Sequence, residues 1–289
     1  MTAPEHVTLG YIGLGKMGAP MARRLTDWPG GVTVFDIRAE TVTALARAGA
    51  IPAGSVADVA GADLISVTVL DDAQVRAVVG ELRAHARPGT VIAIHSTISD
   101  TTAVELADEL RGHGLHLVDA PVSGGAPGAD RGALATMVGA DDDVFARIRE
   151  PFGCWASLIV HAGPPGAGTR MKLARNLLHF IAFNAAAEAQ RLAEACGLDI
   201  TALGRVVRHT DAITGGPGAI MLRDKTARID PDDFWYPIMN HVRGLGEKDL
   251  GLALALGAER GVDLPLAEIA LRDLAAGLGV PHTTATTTE

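Results

Sequence analysis

The stretch "YIGLGKMGAPMARRL", residues 11–25, decides the fold. Gly13, Gly15 and Gly18 fall in the GxGxxG spacing, at the end of the apolar run "VTLGYIG" and at the opening of a helical pattern. Glycines at the first two positions allow a tight turn and the close approach of a pyrophosphate, and the start of a helix offers unpaired N–H groups with a partial positive charge. A second apolar run, "VTVFD", ends in Asp36, 23 residues after Gly13, where a carboxylate can accept hydrogen bonds from an adenosine ribose. The candidate cofactor residues are therefore Gly13, Leu14, Gly15, Met17, Gly18, Asp36, Ile37 and Arg38. Asp36 would repel a 2′-phosphate and so favours NAD. NADP stays possible, because Arg38 carries a guanidinium that could pair with that phosphate or else lie over the adenine or face solvent.

Outward from this fingerprint, as far as about residue 162, short continuous apolar runs alternate with helical segments. "VTVFD" precedes "AETVTALARAG", "LISVTVL" precedes "DDAQVRAVVGELRA", and "TVIAIH" follows. Continuous rather than alternating apolar strands, interleaved with helices, predict an α/β domain with a doubly wound parallel sheet covered on both faces. Further strands are expected at "LHLVDAP", "ALATMVG" and "LIVHAG". After "GPPGAG", residues 163–168, the strand pattern stops. Thr169 to Cys196 contains neither proline nor glycine, and a helix of that length would run roughly 42 Å. More helices are expected near 199–210, 216–226, 234–258 and 264–278. The expected organisation is a dinucleotide-binding domain over 1–165, an all-helical substrate and oligomerisation domain over 166–280, and a disordered polar tail over 281–289.

Composition narrows the function classes. The chain has 289 residues, 48% of them hydrophobic, and a net charge of −9 without any dense basic block, which speaks against nucleic acid or an anionic membrane as the main partner. Cys154 and Cys196 form no CxxC or Cys/His cluster, so they read as two buried thiols, with no metal site. No apolar run reaches the ~18 residues needed to span a bilayer, and the start has no leader pattern. A cytoplasmic location is expected.

Four segments then stand in order: "GLGKMGAPMA" at 13–22, "DAPVSGG" at 119–125, "GPPGAGTRMKLARN" at 163–176 and "EKDLGLA" at 247–253. Together they resemble the signatures of the β-hydroxyacid dehydrogenases, the group that includes 3-hydroxyisobutyrate dehydrogenase. The resemblance covers nearly the whole chain. It implies a Rossmann domain, a long connecting helix and an all-helical C-terminal domain, assembled as a homodimer or homotetramer through the helical halves. It also implies hydride transfer between NAD(P) and a small β-hydroxyacid or the matching semialdehyde.

Residue by residue, the resemblance makes Lys172 the catalytic lysine and Asn176 its amide partner. Ser123, Gly124 and Gly125 become the loop for a substrate carboxylate, and Lys248 stands near both cofactor and substrate. Thr97 is placed near the nicotinamide and Leu70 at a strand end beside the cofactor. His241 occupies the position, seven residues before Lys248, where the family commonly has an aromatic residue beside the substrate.

The residue chemistry agrees. Something must accept the hydroxyl proton, and a lysine, with an unperturbed pKa of about 10.4, serves near neutrality only if burial or a nearby cation lowers it. Arg170 and Arg175 are close enough in sequence to contribute. Lys172 and Asn176, four apart, share one helix face. Arg175 stands where the family commonly has an asparagine. The polar, glycine-rich "RHTDAITGGPGAIM", 208–221, matches no family signature, and His209 and Asp211 either line the substrate pocket or belong to a plain loop between helices. Two other readings remain: an imine reductase of the same architecture, which generally lacks the lysine, and a non-catalytic dinucleotide-binding protein.

Overall fold

The structure, a computed structural model, describes residues 7–282. The proposed tail lies outside the described residues from 283 onward. The chain divides into two compact units, Met1–Arg175 and Asn176–Glu289.

The first unit is built on one sheet. Its strands are β1 (Leu9–Ile12), β2 (Val32–Phe35), β3 (Ile51–Pro52), β4 (Leu64–Val67), β5 (Val91–Ile94), β6 (His116–Asp119), β7 (Val122–Ser123), β8 (Leu134–Gly139) and β9 (Ala156–Gly163). Along the sheet they run β3-β2-β1-β4-β5-β6-β8-β7, with β9 also on β8. The first six pair in parallel, with Leu9 opposite both Val32 and Leu64. Burial alternates with the pleat. Val91 and Ala93 enter one apolar cluster with Leu9 and Tyr11, while Ile92 and Ile94 enter the other with Ile12 and Ile65, so both faces are covered.

Helices α1 (Gly18–Arg23), α2 (Ala39–Ala46), α3 (Val56–Val59), α4 (Asp72–His85) and α5 (Asp100–Arg111) connect these parallel strands. Beyond β6 the parallel sheet becomes mixed, where the sequence left the strand order open. β8 runs antiparallel to both β6 and β7, because only α6 (Gly125–Asp130) and a short turn separate β7 from β8, too little chain for a parallel crossover. After α7 (Asp142–Phe152), β9 returns parallel to β8.

Helix α8 (Ala167–Ala195) runs 29 residues as one element, close to the span read from the sequence. The second unit continues with α9 (Ile200–Thr214), a 3-10 turn (Gly216–Gly218), α10 (Trp235–Arg260) and α11 (Pro265–Leu278). Its own core is small: Ile229, Met239, Leu278 and Val280, with Trp235, Tyr236, Val242 and Leu274 against them. The buried Glu188 carboxylate accepts the N–H groups of Leu266 at 2.8 Å and Ala267 at 3.2 Å, capping α11 from a different helix.

Three expectations need correction. Residues 216–226 form no helix beyond the single 3-10 turn. Gly215 and Gly216 take positive φ of 90° and 54°, and Pro217 has no N–H to donate, so the helical ladder stops. Conversely, the helix expected near 199–210 runs on to Thr214, so His209 and Asp211 lie exposed on α9 rather than in a loop. Cys154 and Cys196 are unpaired, but each is half-buried rather than buried.

His95, just past β5, ties three strands together. Its ring lies 6.3 Å from that of Tyr11 and meets Phe152 and Trp155 edge-on. Its Nδ1 is 2.8 Å from the Ala120 carbonyl, which can only accept, so Nδ1 carries the proton and Nε2 accepts the Ser66 hydroxyl at 3.0 Å. Burial pushes its pKa down from 6.5 to about 4, against the opposing bond to Ala120. Unfolded chains therefore bind a proton between these values that the folded protein does not. Stability contributed by the neutral ring is present above pH 6.5 and lost as pH falls toward 4. Between pH 7 and pH 5 the protein is expected to lose about 2 kcal/mol more unfolding free energy than His95→Gln, measured by urea titration.

Candidate active site

All the candidate cofactor residues of the first unit lie at the carboxyl ends of its parallel strands. After β1 the three fingerprint glycines each do something different. Gly13 has φ of +91°, and a Cβ there would overlap the Thr68 carbonyl. Gly18 packs against the Gly13 carbonyl with no room for a side chain. At Gly15 a Cβ would meet nothing within 4 Å, so the backbone lies bare on its open side. One turn, one close packing and one open approach suit a pyrophosphate drawn against the loop. Leu14 is buried beneath it and Met17 half-buried at the start of α1.

Asp36, buried at the end of β2, accepts the Leu14 N–H on Oδ2 at 2.6 Å and the Arg38 N–H on Oδ1 at 2.9 Å. The Arg38 guanidinium folds back onto the same carboxylate, Nε at 3.1 Å from Oδ1, with half of its side chain still exposed. Arg38 therefore pairs with Asp36 as well as facing solvent. Burial would raise the Asp36 pKa, but the bonds from Arg38 and Leu14 and the Arg38 charge outweigh it and hold the carboxyl below its ordinary value. Ile37 is almost fully exposed beside them.

Leu70, after β4, is also exposed, its N–H held by Gln74 Oε1 at 3.0 Å. Thr97, after β5, is exposed in a loop whose neighbour Ser96 donates to the Val69 carbonyl at 2.5 Å. The ends of β4 and β5 are thereby joined.

The second cluster forms where β6, β7 and α8 meet. Lys172, on the second turn of α8, is 8% exposed. Its Nζ donates to the Val122 carbonyl at 2.6 Å and to Ser123 Oγ at 2.8 Å. Burial, then the charge of Arg175 three residues on, lower its pKa from 10.5 to about 8. Arg170, the other arginine expected to act on it, is instead paired with Asp100, Nε to Oδ2 at 2.9 Å. A neutral lysine has two N–H groups and one lone pair. With both N–H groups taken by Val122 and Ser123, the lone pair is the valence left for a proton.

Gly124 and Gly125, next to Ser123, have φ of 129° and 64° and are exposed. Asn176 follows Lys172 by one helical turn and is half-buried. His241 and Lys248 lie on α10 of the second unit, both exposed, with Lys248 Nζ 3.1 Å from Asp249. The Lys172 and Ser123 cluster is built entirely within the first unit.

Two members of the site escaped the sequence. The Val122 carbonyl is a backbone atom and carries no residue signal. Asp119, inside the quoted "DAPVSGG", is fully buried and accepts the N–H groups of Gly166 at 2.7 Å and Thr169 at 2.6 Å. The burial of an acid at a strand end within that motif was the available clue. Among the described residues no group of three or more His, Cys, Asp or Glu could hold a metal, and no helix is long and apolar enough to cross a membrane.

The chain matches two family models. Residues 8–163 match the NAD binding domain of 6-phosphogluconate dehydrogenase, and 166–279 match the NAD-binding domain of NADP-dependent 3-hydroxyisobutyrate dehydrogenase. An uncharacterized oxidoreductase of Mycobacterium tuberculosis is 65% identical over 98% of this chain and 97% of its own. NAD-dependent L-serine dehydrogenase of Pseudomonas aeruginosa is 34% identical over 91% of this chain and 89% of its own. The structure of 3-hydroxyisobutyrate dehydrogenase of Mycobacterium tuberculosis with L-serine superposes with a TM-score of 0.67 at 33% identity, covering 94% of this chain and 93% of that one. With a glycine fingerprint shaped for a dinucleotide, a buried lysine at the head of the long helix, and these matches over nearly its full length, the chain belongs to the β-hydroxyacid dehydrogenase family of NAD(P)-dependent oxidoreductases.

Proposed function

We propose that the protein oxidises a small β-hydroxyacid of the 3-hydroxyisobutyrate type to its semialdehyde, with NAD as the preferred cofactor and Lys172 as the group that takes the hydroxyl proton. The observation that carries this reading is the buried Lys172 amine, held by Val122 and Ser123 with its pKa lowered to about 8. A nicotinamide, when bound, accepts the hydride from the carbinol carbon. The residues of the chain do the rest. Lys172 Nζ receives the proton as the carbonyl forms, and returns it in the reverse direction. The Ser123 hydroxyl and the N–H groups of Gly124 and Gly125 would hold the carboxylate, and Asn176 would grip the reacting oxygen beside Lys172. His241 is proposed to contact the substrate, and Lys248 substrate and cofactor. NAD is the proposed preference because the Asp36 carboxylate at the end of β2 would repel a 2′-phosphate, with its charge partly offset by the half-exposed Arg38.

The second unit supports a homodimer. Leu177, Phe180 and Phe183 on α8, and Val206 and Ile213 on α9, are large apolar side chains left exposed, and α9 has no buried residue at all. Apolar surface on this scale is usually covered by a partner. A second copy of this chain is proposed to cover it, and light scattering after size exclusion is expected to give twice the mass of the chain or a multiple of that, whereas a monomer at micromolar concentration would overturn the assembly.

With 3-hydroxyisobutyrate, L-serine, D-glycerate and 4-hydroxybutyrate offered alongside NAD, NADH formation is expected with 3-hydroxyisobutyrate. Lys172→Met should lower kcat by roughly 10²- to 10⁴-fold, and full activity in that variant would refute the role. Because Lys172 must be neutral to accept a proton, kcat/KM for oxidation should rise with pH around a midpoint near 8, and Arg175→Gln, which removes a neighbouring positive charge, should move that midpoint upward.

The cofactor site is tested apart from turnover. Gly15→Ala adds a Cβ that touches nothing in the protein, so its Tm should stay unchanged while NADH binding, followed by fluorescence titration, weakens at least roughly tenfold. Unchanged NADH affinity would place the pyrophosphate elsewhere.

A further inference from the structure

The Lys172 amine bonds to the 122–123 segment, and two further bonds to the start of its helix are made farther back, at Asp119. This carboxylate ends β6 and is fully buried. It accepts the N–H groups of Gly166 and Thr169, two donors at the start of α8 that no helical carbonyl can reach. A negative group at the head of a 29-residue helix also meets the positive end of its dipole. The fit around it is tight. A Cβ on Gly139 of β8 would overlap Asp119 Oδ1, and a Cβ on Gly168 would lie 2.5 Å from the Asp119 carbonyl and 2.8 Å from the Gly139 nitrogen. Strand and helix backbones therefore touch here without side chains between them.

Thr169 and Lys172 are three residues apart, so they lie on one face of α8, ~4.5 Å apart along its axis. Asp119 and the Lys172 partners Val122 and Ser123 are likewise three and four residues apart on the other segment. The contacts close a ring: Asp119 to the start of α8, along the helix to Lys172, across to Val122 and Ser123, and back through Pro121 and Ala120 to Asp119. Two bonds at each end oppose a roll of the helix about its axis against the 120–125 segment.

We infer that Asp119 is a positioning residue for proton transfer: by clamping the N–H groups of Gly166 and Thr169 it fixes the rotation of α8 that carries the Lys172 amine onto Val122 and Ser123. The inference rests on the reading of Lys172 as the proton-transfer group. Asp119 itself reaches neither substrate nor cofactor. Misplacement by about 1 Å costs of the order of 10²-fold in rate, which is the scale expected when such a clamp is released.

Two variants release it differently. Asp119→Asn keeps the shape but turns an acceptor into a donor facing an N–H group. Thr169→Pro, at the third residue of α8, removes one of the clamped N–H groups, and its ring carbon takes the place of the hydrogen that faced Asp119, so the carboxylate is pushed off the helix start. Both should lower kcat for 3-hydroxyisobutyrate by roughly 10- to 100-fold at a temperature where circular dichroism shows them folded, with the NADH dissociation constant within about twofold of the parent. The position of the amine is read without turnover from the pH dependence of Lys172 reductive methylation, followed by peptide mass spectrometry. Its midpoint, near 8 in the parent, should rise by roughly one pH unit in Thr169→Pro as the amine leaves its buried partners for water. An unchanged midpoint in folded Thr169→Pro overturns the positioning role whatever kcat does, and so does a parental kcat in folded Asp119→Asn. If the parent oxidises no hydroxyacid, the functional reading fails separately, and the methylation midpoint still decides the clamp.

Discussion

Parallel pairing is the constraint from which the rest of the first unit follows. A strand that must run in the same direction as its neighbour has to return over the sheet, and each return ends with a loop on the same edge. The glycine loop after β1, Asp36 after β2, Leu70 after β4, Thr97 after β5 and Asp119 at the end of β6 therefore gather on one side, although they are spread over a hundred residues of sequence. The antiparallel β7 and β8 come after this set is complete. They turn the chain back so that Val122 and Ser123 face the start of α8, where the lysine arrives.

An amine in such a place is held by opposing effects. Removal from water disfavours its charged form, and the approach of Arg175 disfavours it further, while a carbonyl and a hydroxyl at hydrogen-bond distance compensate for part of the lost hydration. An arginine could not take this role, since its guanidinium stays protonated at any working pH. Arg175 departs from the family pattern, yet its charge acts in the direction that a lysine working near neutrality requires.

Much of this was legible in the sequence, for reasons that differ between residues. Gly13, Gly15, Gly18 and Asp36 are readable because the backbone geometry of a dinucleotide loop admits few residue types, and the strand before them is a continuous apolar run. The α8 helix was readable from its length without glycine or proline. Lys172 alone would have passed for an exposed residue on a helix edge, and only the other three segments gave it meaning. What stayed hidden depends on long-range geometry: the Val122 carbonyl under the amine, the clamp between Asp119 and residues 47 and 50 positions away, and the pairing of Arg170 with Asp100. The helix expected over 216–226 failed for a local reason, since the apolar pattern there was outweighed by two positive-φ glycines and a proline.

The bond between Asp36 and the Leu14 N–H also bears on how easily the cofactor preference could change in evolution or by design. The carboxylate proposed to face the ribose is at the same time an anchor of the glycine loop, through its 2.6 Å bond from the Leu14 N–H. Replacing it with a small neutral residue to admit a 2′-phosphate would also leave a loop N–H without its acceptor. On the proposed reading, recognition and scaffold share one side chain, so a route to the phosphorylated cofactor would run through residues that keep an acceptor oxygen at that point. Arg38, already folded onto the site, would then be free to turn toward the added charge.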